Sequence, residues 1–294
     1  MKCKITKKKI DPFMSFGKMP IANGFLNQDE FNEEFFYEME VGFSNDLSLF
    51  QLNDHPKPSM MFNKNYPFFT GSSQQMKLHF KKYADWVKNY SKNKIKNVIE
   101  IGSNDGTFLK NFNPKNFNIL GFEPSENVAK RALKNGINTV SEFFNKKTTS
   151  KQKKFKKNTD LICAANVICH IPDLNDLIQS VDFMLNKNGL FVFEEPYLGS
   201  MFKKISYDQI YDEHIFIFSG TSVSKIFSLF DLELIDVVPQ ITHGGSMRYV
   251  VARKNIYKVN NNVGKLLERE KLENLDNMSS CIEFKKNCEL SKKN

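Results

Sequence analysis

The densest set of acid–base side chains lies in QIYDEHIFIFSG, residues 209–220, where Tyr211, Asp212, Glu213 and His214 run directly into Ile215, Phe216, Ile217 and Phe218. A solvated turn accounts for the charges but not for the apolar run. A buried strand accounts for the apolar run but makes the charges costly to desolvate. A functional site accounts for both.

A second set lies in VIEIGSNDGTFLK, residues 98–110. An apolar strand ends in Glu100, glycines follow at Gly102 and Gly106, and a helical restart is expected at Thr107. Such glycines let the backbone pass close to a ligand and turn amide N–H groups outward at a helix N-terminus. The loop fits an amino-acid carboxylate end as readily as a phosphate. Glu123 in LGFEPS falls at the end of the next strand, about twenty residues on, where an acidic side chain takes a ribose diol. Position 104 is Asn104, not the glycine of a G-x-G-x-x-G dinucleotide loop, so S-adenosylmethionine fits better than NAD. An ordinary strand-to-helix turn with a solvent-facing Glu123 is the alternative. A third strand, DLICAA, is followed by Asn166 and then His170 at the sheet edge where doubly wound sheets bind ligands. His170 is read as a site residue, with a structural histidine as the alternative. The [DN]-P-P-[YF] turn of nucleic-acid amino-methylating enzymes is missing here.

The elements that position these residues are legible. Residues 1–75 are rich in Phe, Pro and Asn and read as a small irregular or β-containing lobe. Over 70–93, Met76, Phe80, Tyr83, Val87 and Tyr90 recur three to four apart, predicting a helix capped by Ser72 or Ser73. Short apolar strands at 97–101, 118–122, 137–140, 160–165 and 189–195 then alternate with amphipathic segments, which predicts a parallel sheet covered by helices. Strands at 232–238 and 247–253 add an antiparallel edge pair. The fold class is therefore α/β, the Rossmann-like sheet of class I methyltransferases, with an N-terminal lobe (1–75), a central domain (76–256) and a helical tail (257–294).

Composition narrows the function. The chain has 294 residues, 40% of them hydrophobic, enough for a sizeable core. No run of about 18 apolar residues appears, and MKCKITKKKIDPF lacks the apolar middle of a signal peptide, so no membrane partner and a cytoplasmic location are expected. Cys3, Cys163, Cys169, Cys281 and Cys288 match no redox or zinc-knuckle spacing. The net charge of +9 invites nucleic acid, but only Arg131, Arg248, Arg253 and Arg269 among the 42 basic residues supply the bidentate fork, so no nucleic-acid partner is expected. The basic run at 146–157 reads as a solvated helix face or loop.

The ordered segments VIEIGSNDGTFLKNF, GFEPSENVAKRA, CAANVICHIPDL, FVFEEPYL, YDQIYDEHIFIFS and ITHGGSMRYVVAR resemble the nucleotide-sugar C-methyltransferases, over about residues 15 to 285. The resemblance implies S-adenosylmethionine as cofactor and a nucleotide-linked keto-deoxy sugar as substrate. It implies proton abstraction beside the ketone and methyl transfer to the enolate. The family's base position falls on His214, which with an unperturbed pKa of about 6.5 is neutral at working pH, and the apolar run disfavours its charged form. Tyr211 and Glu213 fall on the positions that orient base and sugar, and Asn166 and His170 on other polar positions of the site. Asp212 stands where the family has His and is expected to raise the pKa of His214. The loop at 242–248, with His243 and Arg248, matches the family's H-G-G-S-[LM]-R segment. Arg248 there holds a phosphate or braces the site, or sits in a plain hairpin turn.

Two departures qualify the resemblance. The family lobe carries C-x2-C twice as a four-thiolate zinc site, whereas this chain has Cys3 and Thr6, then Ser44 and Leu47. Zinc is therefore expected to be absent, with Phe13, Phe16, Phe35 and Phe36 packing the lobe instead. The chain also stops at Asn294, inside the helix expected to lead into a C-terminal domain, which reads as truncation. Two other readings remain open at this point: a non-catalytic donor-binding remnant, and a methyltransferase acting on another small molecule.

Overall fold

The computed structural model describes residues 1–91 and 95–292. Lys92 and Asn93 of the expected helix, and Asn294, lie outside the described residues. Along the chain run β1 (Pro12–Pro20), β2 (Phe36–Ser44), β3 (Leu49–Leu52), α1 (Pro58–Met61), α2 (Gln74–Tyr90), β4 (Asn97–Ile101), β5 (Asn118–Phe122), α3 (Glu126–Lys134), β6 (Thr139–Val140), α4 (Lys146–Thr149) and β7 (Thr159–Ala165). There follow α5 (Leu174–Met184), β8 (Leu185–Pro196), α6 (Leu198–Lys204), β9 (Phe216–Ile217), α7 (Gly220–Ser228), β10 (Leu232–Gln240), β11 (Ser246–Arg253), α8 (Asn261–Leu272) and α9 (Met278–Ser291). Among the described residues no helix is long and apolar enough to cross a membrane.

Strands β10-β11-β8-β7-β4-β5-β6 form one mixed sheet in that order. Parallel pairing joins β4 to β5, β4 to β7 and β5 to β6, and β10–β11 is the antiparallel hairpin. This is the expected α/β class. All five residues of β4 are buried, as in the middle of a parallel sheet, with Asn97 and Glu100 the two polar residues among them. Register fixes the functional edge: Ile101 lies opposite both Phe122 and Ala164, so Gly102, Glu123 and Asn166 all follow the same end of the sheet.

The chain folds as two compact units. One comprises Phe62–Val167 and Asn175–Phe193. In it α2 starts at Ser73, whose side chain caps the Met76 N–H at 3.3 Å, and buries Phe80, Tyr83, Ala84 and Val87. The helical restart expected at Thr107 does not occur. Asp105 takes the Thr107 hydroxyl at 2.7 Å, and the Asn111 amide closes back on the Thr107 and Phe108 carbonyls at 3.1 and 2.9 Å. Only a 3-10 turn, Leu109–Asn111, forms before Pro114 stops any extension. The glycine loop therefore opens into a 3-10 turn and not into an α-helix.

The other unit comprises Met1–Met61, Ile168–Leu174 and Glu194–Asn294. Its sheet runs β1-β2-β3-β9. The last strand is the apolar segment just beyond His214, with Phe50 opposite Ile217 and Gln51 opposite Phe216. The expected phenylalanine packing is half right. Phe13 sits edge-on to Phe50 at 5.6 Å, and Phe16 packs against the same core. Phe35 and Phe36 are exposed instead, at 42% and 50%. For Phe36 the cause is strand period: β2 alternates, and Tyr37, Met39, Val41 and Phe43 take the inner face, while Phe35 precedes the strand and stacks on Tyr37 at 6.5 Å. Cys281, Phe284 and Cys288 of α9 close the same core, with Phe284 stacked on Phe202 at 4.5 Å.

Candidate active site

The loop after β4 is shaped by residues that only glycine or asparagine satisfies. Gly102 has φ +65°, and a Cβ there would meet Val167 Cγ2 at 2.3 Å; Gly106 has φ +81°, and its Cβ would meet Ile137 at 2.6 Å. Asn104 sits at φ 48°, a conformation asparagine tolerates better than most residues. Its N–H donates to Glu123 Oε2 at 3.0 Å, while the Ser125 N–H donates to Oε1 at 2.8 Å. Burial raises the Glu123 pKa, and these amides pull it back. Each Glu123 oxygen keeps a second lone pair for a diol. Burial, with the charges of Glu123 and Asp105, lifts the Glu100 carboxyl well above its ordinary range. Glu100 Oε2 is buried without a partner. A cationic group such as an amino-acid ammonium would restore its ionisation. An orphaned carboxylate oxygen, a backbone cradle closed to any Cβ and an acidic residue one strand over fit S-adenosylmethionine. Asn166, beyond β7, adopts φ 56° with a buried Oδ1 lacking a partner.

In the other unit the residues around 211–214 form a closed network. His214 Nδ1 meets the Gln209 carbonyl at 2.7 Å, and Nε2 meets the Tyr211 hydroxyl at 3.1 Å. A carbonyl only accepts, so Nδ1 carries the proton and Nε2 presents its lone pair. The imidazole of His170 stacks on that of His214 at 5.4 Å and 20°. Burial lowers the His214 pKa to about 4, against the opposing effect of the Gln209 carbonyl. Burial also takes His170 well below its ordinary value, helped by the charges of His214 and His243. The expectation that Asp212 raises the His214 pKa fails. Burial dominates, and the Asp212 carboxyl is itself pushed up while Oδ1 accepts from the Ala22 N–H at 3.3 Å. Burial raises the Glu213 pKa as well, and its Oε1 accepts from Asn23 Nδ2 at 2.7 Å.

Ala22 and Asn23 went unread in the sequence, since nothing local marks a contact 190 positions away. Glu195 was legible as an acid ending an apolar strand. It is fully buried and accepts from the Ile168 N–H at 2.7 Å. Cys169 Sγ and ring nitrogens of His170 and His214 lie within 4.8 Å of one another, a donor set of the kind that holds zinc. Burial and the nearby Glu195 keep that thiol well above its ordinary pKa, hence protonated. The Arg248 guanidinium is buried and ion-paired to Glu194, its Nε donating at 2.7 Å. His243 is exposed in the turn before β11, at φ 49°.

Sheet order, edge register and loop together define a class I S-adenosylmethionine-dependent methyltransferase. A family model described as a methyltransferase domain matches residues 75–237, and the chain belongs to that family. A second model, named for zinc binding, matches residues 3–62. The C-methyltransferase NovU of Streptomyces niveus is 27% identical over 236 residues, covering 80% of this chain. The chain spans 56% of the length of NovU. A methyltransferase of Haloferax volcanii, solved with its Trm112 activator, shares the fold with a TM-score of 0.50, 12% identity, and coverage of 63% of this chain and 94% of its own.

Proposed function

We propose that the protein methylates a carbon beside the ketone of a nucleotide-linked keto-deoxy sugar, with His214 as base. The observation that carries this reading is the tautomer of His214, protonated at Nδ1 and unprotonated at Nε2, where Tyr211 stands. The likeness to NovU supports a sugar carbon as acceptor. The sugar C–H bond breaks as Nε2 takes the proton, and its electron pair passes into the enolate and then into the new C–C bond. Bound S-adenosylmethionine would supply the electrophilic methyl, the electron pair of the broken S–CH3 bond staying on sulfur. Once Nε2 is protonated it no longer accepts from Tyr211, whose hydroxyl is then free to donate to the enolate oxygen. Glu213, anchored by Asn23, orients the sugar. The test is exchange of the acidic sugar C–H with D₂O in the presence of S-adenosylhomocysteine. Exchange supports the reading; both ligands binding without exchange leaves a donor-binding remnant.

In this reading Glu123 holds the ribose. Calorimetry of Glu123→Ala should show S-adenosylhomocysteine binding weakened by about 1–3 kcal/mol, and Glu123→Gln, which keeps an acceptor, should lose less. Unchanged affinity in both variants would remove Glu123 from the site.

We also propose that the lobe folds without zinc. The turn at Cys3 is tied by the buried Gln51 amide, which accepts from the Lys4 N–H at 2.9 Å and donates to the Lys2 carbonyl at 3.1 Å. Chelator should leave Tm unchanged. Stoichiometric zinc lost in Cys3→Ser but kept in Cys169→Ser would overturn this.

A further inference from the structure

The Phe62–Val167 unit carries a groove of about 590 Å³ whose walls include Lys77 of α2, Lys110 of the 3-10 turn and Arg131 of α3. That volume is in the range of small-molecule sites, about 300–1,000 Å³. Asp105, Asn135 and Gly106 at the end of the glycine loop also line it, whereas Glu100, Gly102, Asn104 and Glu123 do not. Among the described residues none of the three cations has a carboxylate partner. Elsewhere among the described residues of the same unit Lys88, Lys130, Lys151 and Lys157 are ion-paired and Lys115, Lys134 and Lys153 are not, so it is the convergence of three cations on one groove that sets it apart. The one carboxylate in the groove is already committed: Asp105 Oδ2 accepts from the Gly71 N–H at 2.8 Å and Oδ1 from the Thr107 hydroxyl at 2.7 Å. Arg131 lies over the Phe69 ring, 5.8 Å from its centroid. A guanidinium stacked on a ring keeps its planar N–H edge for bidentate contact with an oxyanion. This chain has only four arginines, so a stacked and uncompensated one is not a by-product of its abundant lysine.

We propose that this groove binds the diphosphate of a phosphorylated small molecule, separately from the methyl donor. One phosphate pairs with the Arg131 edge and the other with the Lys77 and Lys110 ammonium groups. Two adjacent phosphates supply the charge that three cations demand, which a single carboxylate does not.

The probe is inorganic pyrophosphate, titrated calorimetrically into the whole protein at low and high salt. Binding should weaken with salt and by roughly tenfold or more in Arg131→Gln and in Lys110→Gln, the scale of one charge-assisted hydrogen bond. Lys154→Gln, outside the groove, should match the parent, and S-adenosylhomocysteine affinity should stay unchanged in all variants. Tighter binding of a nucleoside diphosphate than of pyrophosphate marks a nucleotide as the source, and equal binding marks the diphosphate alone. Either result requires the Arg131 dependence. Displacement of pyrophosphate by S-adenosylhomocysteine, or equal affinity of parent and variants, or no binding at millimolar pyrophosphate, would overturn the proposal.

Discussion

Replacing His214 with alanine is expected to lower kcat and kcat/KM together by roughly 10²–10⁴-fold, to abolish D₂O exchange at the sugar carbon, and to leave S-adenosylhomocysteine affinity intact. The joint fall follows because the base acts on a proton that leaves only in the transition state. Its burial sets the energetics. With a pKa of about 4, placing a proton on His214 at pH 7 costs about 4 kcal/mol in the substrate-free protein, at 1.36 kcal/mol per unit. The enolate formed in the same step carries the opposite charge and offsets that cost. Two consequences are measurable. Between pH 8 and pH 6 the free-enzyme profile of kcat/KM should show no inflection from His214, since the group is already neutral there. Tyr211→Phe should keep exchange but slow it, because the lone pair survives and only the hydroxyl at Nε2 is lost. If His214→Ala exchanges and methylates near the parent rate while Tyr211→Phe does not, the base lies elsewhere, with His170, stacked on it, the next candidate.

The parts of this fold legible in the sequence are those whose signal is local. Strands β4 and β5 span 97–101 and 118–122 as expected, because each is a short, mostly apolar segment set off from its neighbours by turn residues. Ser73 was legible as a cap because capping depends on a residue type beside a periodic run. The inner face of β2 is also legible, in the alternation of Tyr37, Met39, Val41 and Phe43, which turns Phe36 outward. What escaped was long-range pairing. Strand β9 has two residues, too few for any period, and its place beside β3 is visible only in three dimensions. That pairing, with the Leu52 N–H on the Ile215 carbonyl at 2.8 Å, answers why the charged cluster abuts an apolar run. The run is an edge strand of the lobe sheet, and it holds His214 at the end of that strand. The Asn23–Glu213 bond escaped for the same reason.

The second large effect concerns stability. Arg248 and Glu194 are both buried, with the guanidinium ion-paired to the carboxylate. Arg248→Met should lower the free energy of unfolding by about 3–5 kcal/mol, because the loss leaves a buried carboxylate uncompensated rather than merely deleting an attraction. Urea denaturation measures it as a shift in midpoint at constant slope. The double variant Glu194→Leu/Arg248→Met separates the two causes: it should recover most of the loss, since an apolar pair of similar volume removes the stranded charge. A single-variant loss below about 1 kcal/mol, the scale of a solvent-exposed pair, would show that water reaches the carboxylate. The pair also bears on the site through its neighbour. Glu195 follows Glu194 and accepts the Ile168 N–H ahead of Cys169 and His170. If Arg248→Met shifts the Glu194 strand, it disturbs the Glu195–Ile168 bond and lowers kcat in the folded fraction, whereas if the strand stays in place stability falls and kcat per folded molecule is unchanged.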